Sequence, residues 1–151
     1  MLAQVIVSGL AMGAIYALVA LGHAFVWKTM NIVNFAAGEF VTFSAFIFVA
    51  TFINGFNLNF LLAAFFAAAV MAALGAAFSR IVFARLQNQR VFVAIISTVG
   101  FGLFLKELAR IIYGPQPLYY DGPFGQGAVS LAGVMITYQQ ILIFGVAITI
   151  M

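Results

Sequence analysis

The chain is 151 residues long, 66% apolar and only 6% charged, with a mean hydropathy of +1.21. Soluble domains carry about 25% charged residues, so this chain has too few to cover a water-facing surface and reads as an integral membrane protein. Its net charge of +3 rests on six basic residues, too few to track phosphates, which excludes nucleic acid as a partner; the absence of cysteine excludes disulfides, thiol catalysis and Cys-ligated metal.

Long apolar runs without period-two alternation point to helices rather than an outer-membrane barrel. Leu2 to Trp27 reads as the first helix, longer than the roughly 20 residues a span needs. No Lys or Arg precedes it and it exceeds a signal-peptide core, so it reads as a retained transmembrane helix. Ser8, Gly9, Gly13 and Ala17 put small residues on one face at steps of about four, a pattern of helix packing. Trp27 and Lys28 read as interfacial anchors. His23, the single histidine, reads as a packing residue, and with no second histidine a His-pair metal site is excluded.

The stretch Asn34-Phe35-Ala36-Ala37-Gly38-Glu39 follows. Glu39 is one of three acidic residues and lies where two apolar runs meet, a costly place unless it is hydrated, paired or useful. From Phe40 to the turn signals Asn54, Gly55, Asn57 and Asn59 there are only fourteen residues, about 21 Å of helix, short of a roughly 30 Å hydrocarbon core. A full second span therefore begins near Asn34, with Glu39 about one turn inside it. The alternative is a broken or re-entrant element at Ala36-Ala37-Gly38, tolerated only against protein or a water-filled cavity. Glu39 has two readings at this point. One is a carboxylate near the membrane interface, favoured by the helix dipole, with Asn34 as N-cap. The other is a polar group on a solute path or gate, oriented by a break at Gly38.

Leu58 to Ser79 reads as the third helix, alanine-rich all round and so packed on several sides. Arg80, Arg85 and Arg90, with Gln87, Asn88 and Gln89, form a strongly polar loop. Val91 to about Ile112 is the fourth helix, with Ser97, Thr98, Gly100 and Gly102 at its centre. Ser97 and Thr98 join Asn34, Gly38 and Glu39 as candidates for a solute path or gate, although hydroxyls that bond back to their own helix are the commoner case. Glu107 and Arg110 are spaced to pair. Tyr113 to Tyr138 is a long loop holding all three prolines, with a small hairpin from Gly127–Leu131 and Gly133–Thr137 and tyrosines 113, 119, 120 and 138 as an aromatic belt. Gln139 to Met151 begins a fifth helix of about 20 Å. The expected fold is an all-α, polytopic transmembrane helical bundle of about four complete helices and a truncated fifth, a single transmembrane domain over residues 1–151 read as a fragment of a longer protein.

Basic residues set the orientation. Arg80, Arg85 and Arg90 place the third-to-fourth connection in the cytoplasm, Lys28 falls on the same side, and the N-terminus lies outside. Lys106 and Arg110 count against this unless Glu107 pairs with one of them. No P-loop motif, zinc-ligand spacing or nucleophile cluster occurs, so the chain reads as no enzyme and needs no cofactor.

Gly13-Ala-Ile-Tyr-Ala-Leu-Val-Ala-Leu-Gly22 and then Asn31-Ile-Val-Asn-Phe-Ala-Ala-Gly-Glu39 resemble the N-terminal part of the permeases of branched-chain amino acid ABC transporters, the LivH type. Ile96-Ser-Thr-Val-Gly-Phe-Gly102, Tyr113-Gly-Pro-Gln-Pro117 and Thr137-Tyr-Gln-Gln-Ile-Leu142 are similar to later stretches in the same order. Ala37 departs from the family, whose members often have histidine there. The resemblance implies a bacterial inner-membrane importer with a second permease subunit, cytoplasmic P-loop ATPase subunits that hydrolyse ATP, and an external solute-binding protein. It implies transport of branched-chain amino acids or similar small solutes such as urea and amides. It covers about half a permease, without the cytoplasmic ATPase-coupling region, so the chain alone is not expected to transport; a split permease completed by a second chain is the alternative. Two other classes stand beside it: a small oligomeric membrane channel or structural subunit, and a proton-coupled carrier using Glu39 and His23.

Overall fold

The computed structural model describes residues 2–30, 33–86, 89–125, 127–131 and 134–151. Asn31, Ile32, Gln87, Asn88 and Gly133, which figure in the sequence reading, lie outside the described residues. Helix α1 covers Leu2–Met30. Helix α2, Ala37–Phe46, runs on as wider π-helical turns over Ile47–Gly55. Helix α3, Phe60–Phe78, likewise continues through π-helical turns Ser79–Phe83 and a last turn Ala84–Leu86. Helix α4 is Val91–Tyr113; strands β1, Ala128–Leu131, and β2, Val134–Thr137, follow, and then helix α5, Tyr138–Ile150. Among the described residues four stretches, Leu2–Thr29, Ala37–Gly55, Phe60–Val82 and Val91–Tyr113, are long and apolar enough to cross a membrane, and α5 is a shorter apolar helix. The chain is therefore an all-α, multi-pass membrane protein.

Local chemistry accounts for most of the boundaries. Gly55 and Asn57, the latter at a φ of +51°, turn the chain out of the second span. Gly114, at a φ of +82°, closes α4 with its N–H on the Arg110 carbonyl, and Pro115 follows. Thr137 caps α5 through a reciprocal pair of bonds with Gln140.

Three boundaries differ from the sequence reading. Helix α1 passes Trp27 and ends at Met30. The third helix does not stop at Ser79. Nothing between Ser79 and Leu86 is a glycine or proline, so the helix continues and carries Arg80 and Arg85 on its turns instead of in a loop. The second span starts at Ala37, not Asn34, and its N-cap is Ala36 with no side-chain cap.

The fold forms two compact units, residues 1–25 with 120–151 and residues 26–119. In the first, β1 and β2 pair antiparallel, Ala128 opposite Thr137 through Leu131 opposite Val134. Gln4 of α1 seals the outer edge of β2: its amide donates to the Met135 carbonyl and accepts the Met135 N–H, each at 2.8 Å. In the second unit, Phe43 and Ile47 of the second span, Ala67 of α3, and Leu105 and Ala109 of α4 form the core, ringed by Phe40, Phe46, Phe48, Phe52, Met71 and Phe101. Helix α3 contributes Ala67 to this core and also buries Ala63 and Phe78, while Leu61, Phe65 and Val70 lie open. The expectation that its alanines are packed on several sides is thus not met within this chain.

Candidate functional site

Helix α4 buries Ala94, Thr98, Gly102, Leu105 and Ala109. These positions step by four, four, three and four, one face of a 3.6-residue period. The first three are small, and the chain leading into α2 lies against that small-residue half. A Cβ placed on Gly102 would stand 3.3 Å from the Ala36 Cα and 3.4 Å from the Glu39 Cγ. At the far end, the Tyr113 ring stacks on Phe46 at 5.4 Å and its hydroxyl meets the Thr51 hydroxyl at 2.9 Å. Both contacts read in the same chain direction, so α2 and α4 run parallel. Tyr113 is consequently a packed residue, although the sequence pattern places it in an interfacial belt.

Helix α2 starts short of its neighbours. Gly102 lies eleven residues beyond the first residue of α4, Val91, about 16 Å along the axis. Phe40, Phe78 and Phe101 meet in one aromatic cluster, and past Phe78 helix α3 continues through Leu86. The approach to α2 is therefore non-helical backbone set against the first half of α4. Its polar groups are satisfied locally. The Ala36 N–H donates to Asn34 Oδ1 at 3.0 Å, the Ala37 N–H to the Asn34 carbonyl at 3.3 Å, and the Phe35 N–H to Thr98 Oγ1 at 3.4 Å. Asn34 is 7% exposed, and Ala36 and Thr98 are fully buried. Among the described residues no buried side-chain nitrogen or oxygen lacks a partner.

The sequence candidates divide accordingly. Asn34, Glu39 and Thr98 come together. Asn34 is not the N-cap; it ties a turn two residues before the helix. The break also precedes Gly38, which is helical and has open space beside it, so no interruption at Gly38 orients Glu39. Ser97 stays apart, its hydroxyl donating to the Val93 carbonyl at 2.8 Å. Thr98 donates back as well, to Ile95 at 2.9 Å, but also receives Phe35. Gly9 and Gly13 face open space, Ala17 is half-buried, and the residue α1 buries is Ala11. Lys28, Arg80, Arg85 and Arg90 are exposed.

Beyond Glu39 a half-open cavity of about 560 Å³ runs between α2 and α4. Glu39, Thr42, Phe43 and Phe46 line one wall, Leu105, Lys106, Glu107, Ala109 and Arg110 the other, with Gly114 and Pro115 at its end. Glu107 and Arg110 pair at 3.6 Å. Gly102, at the α2–α4 crossing, and Lys106, on the cavity wall, are not among the site candidates of the sequence reading. The signal that finds Gly102 is the spacing of the small residues 94, 98 and 102. Among the described residues no group of three His, Cys, Asp or Glu side chains is placed to hold a metal.

A family model described as the branched-chain amino acid transport system / permease component matches residues 5–151. The high-affinity branched-chain amino acid transport system permease protein BraD of Pseudomonas aeruginosa is 32% identical, over 98% of this chain and 52% of its own length. The corresponding permease proteins LivH of Escherichia coli and Salmonella typhimurium are 28% and 27% identical, each over 93% of this chain and 49% of their own length. The chain thus spans about half the length of these relatives. No solved structure matches it.

Proposed function

The chain belongs to the family of branched-chain amino acid transport permease components, and from that premise we propose that it forms the N-terminal part of the membrane-spanning permease of an ATP-driven importer. The solutes are branched-chain amino acids or similar small molecules such as urea and short amides. The observation that carries this reading is the α2–α4 crossing. The family-like segment Asn34–Glu39 packs on the equally family-like Ile96–Gly102, and a cavity lined by charged and apolar side chains opens beside them.

In this reading residues 1–151 are part of one transmembrane permease domain. Glu39 lines the solute path, while Asn34 and Thr98 fix the non-helical approach that sets where Glu39 stands; Gly38 and Ser97 lie beside this path. Gly9, Gly13 and Ala17 serve helix packing in the assembled permease. The partners are a second permease subunit, cytoplasmic P-loop ATPase subunits on which hydrolysis occurs, and an external solute-binding protein. The N-terminus is outside, in a bacterial inner membrane.

Affinity purification from the native membrane, followed by mass spectrometry, tests the assembly. Recovery of P-loop ATPases with the chain supports it. Recovery as a stable homo-oligomer without ATPases would favour a small channel or structural subunit instead. Uptake driven by a pH gradient, independent of ATP and abolished by Glu39→Gln, would replace the importer with a proton-coupled carrier.

A further inference from the structure

The α2–α4 groove holds four charged side chains, and they are not all answered. Glu107 and Arg110 pair with each other on α4. Glu39 and Lys106 line the same cavity, yet among the described residues neither enters an ion pair. Both stand within helices long and apolar enough to cross a membrane, where a charge facing lipid is costly and such groups face protein or water. The rest of the wall is apolar: Phe43, Phe46, Leu105 and Ala109. A carboxylate, an ammonium and an aromatic wall around about 560 Å³ complement a small solute that bears both signs of charge on an apolar body.

We propose that Glu39 and Lys106 are specificity-determining residues of a water-filled solute site in this groove. The Glu39 carboxylate takes the ammonium end of a dipolar solute, and the Lys106 ammonium takes its anionic end. An uncharged solute such as urea leaves both charges unanswered and is rejected for that reason, which narrows the solutes of the proposed importer to dipolar ones. This deepens the permease reading and rests on it for the claim that the bound solute is transported; the site itself needs neither ATP nor a partner to be detected.

The chain contains no cysteine, so Thr42→Cys is a unique reporter inside the groove, one turn from Glu39. Val70→Cys, on the open part of α3, is the control outside it. Native membrane vesicles carrying either variant are treated with cationic, anionic and neutral methanethiosulfonates. Thr42→Cys is expected to react much faster than Val70→Cys. Adding Glu39→Gln is expected to slow the cationic reagent, and Lys106→Gln the anionic one. Each slows by about threefold or more, as expected for one unit charge several ångströms away in a water-like medium. The neutral reagent keeps its rate in both, which also reports an intact fold. L-leucine protects the thiol and urea does not. The proposal is overturned if Thr42→Cys reacts no faster than Val70→Cys, if all three reagents change together, or if urea protects as well as leucine. Loss of ATP dependence with this labelling pattern preserved would remove the importer reading and leave the site.

Discussion

At Gly102 the approach to α2 comes close against α4. The neighbours of this glycine are not yielding ones: the Ala36 Cα belongs to backbone whose N–H is held by Asn34. A branched side chain there must push the whole approach to α2 away from α4. Gly102→Val is therefore expected to lower stability by about 1–3 kcal/mol, the usual range for overpacking, and to lower the melting temperature of the detergent-purified protein. Gly100 has nothing within 4 Å of where its Cβ would stand. Gly100→Ala should leave the melting temperature unchanged or raise it, because alanine favours the helix by up to ~1 kcal/mol. Equal losses at both positions would mean that the crossing is not close. Thr98 is the second residue on which the junction depends. Thr98→Val keeps the shape but deprives the Phe35 N–H of its acceptor, at a cost of about 1–3 kcal/mol if the group stays dry. Thr98→Ser retains the oxygen and should recover most of that loss in the same melting assay. Ser97→Ala, which removes only a bond back to Val93, should change little.

At the scale of elements, the second span is held by α4 at two places: small residues receive its start, and Tyr113 grips it where α2 passes into the π-helical turns. The Tyr113 ring packs against Phe43 and Phe46, and its hydroxyl meets Thr51. Tyr113→Phe keeps the rings and loses one hydrogen bond, about 1 kcal/mol, whereas Tyr113→Ala also empties a ring-sized space and should cost about 3–5 kcal/mol. Thermal melting of the two variants separates these contributions; similar losses would show that the hydroxyl, not the ring, holds the elements together. Signals confined to a few residues made much of this legible in the sequence. Asn54–Asn59 and Gly114-Pro115 end helices by their own backbone chemistry, and the two hairpin segments and the shorter fifth helix follow the local pattern. The recessed start of α2 was not legible, because a length count from Phe40 to Ile53 shows that a span needs more residues but not that its neighbour can shelter a non-helical approach. Nor does the sequence separate Ser97 from Thr98. Two adjacent hydroxyls look alike until the stripe Ala94, Thr98, Gly102 is recognised as the buried face. Nor does the polar run from Arg80 show that α3 continues through Arg80 and Arg85, because these arginines end its apolar stretch and not the helix.

For the whole molecule, the open objection to its orientation was the pair Lys106 and Arg110, basic residues toward the end assigned to the outside. The fold places both on the groove-lining face of α4, before its last residue Tyr113, with Arg110 beside Glu107. With Arg110 answered by Glu107, Lys106 alone weighs against the proposed orientation. Lys28, Arg80, Arg85 and Arg90 remain, all exposed and separated by an even number of crossings. In the proposed orientation they put the end of α1 and the α3–α4 connection together in the cytoplasm and the Gly114–Tyr119 stretch outside. The absence of cysteine makes this directly readable. In intact cells, Tyr119→Cys, at a position 87% exposed, should react with a membrane-impermeant maleimide, and Arg90→Cys only after the membrane is permeabilised. Replacing both Lys106 and Arg110 by glutamine should leave that pattern as it is. Replacing Arg80 and Arg85 by glutamine in the Arg90→Cys background should weaken it, exposing a fraction of the 90-position thiol to the outside. Labelling of Arg90→Cys in intact cells without further substitution would invert the orientation. Inversion caused by the Lys106 and Arg110 changes would return those residues to the flank and remove the ground for placing them in a groove within the membrane.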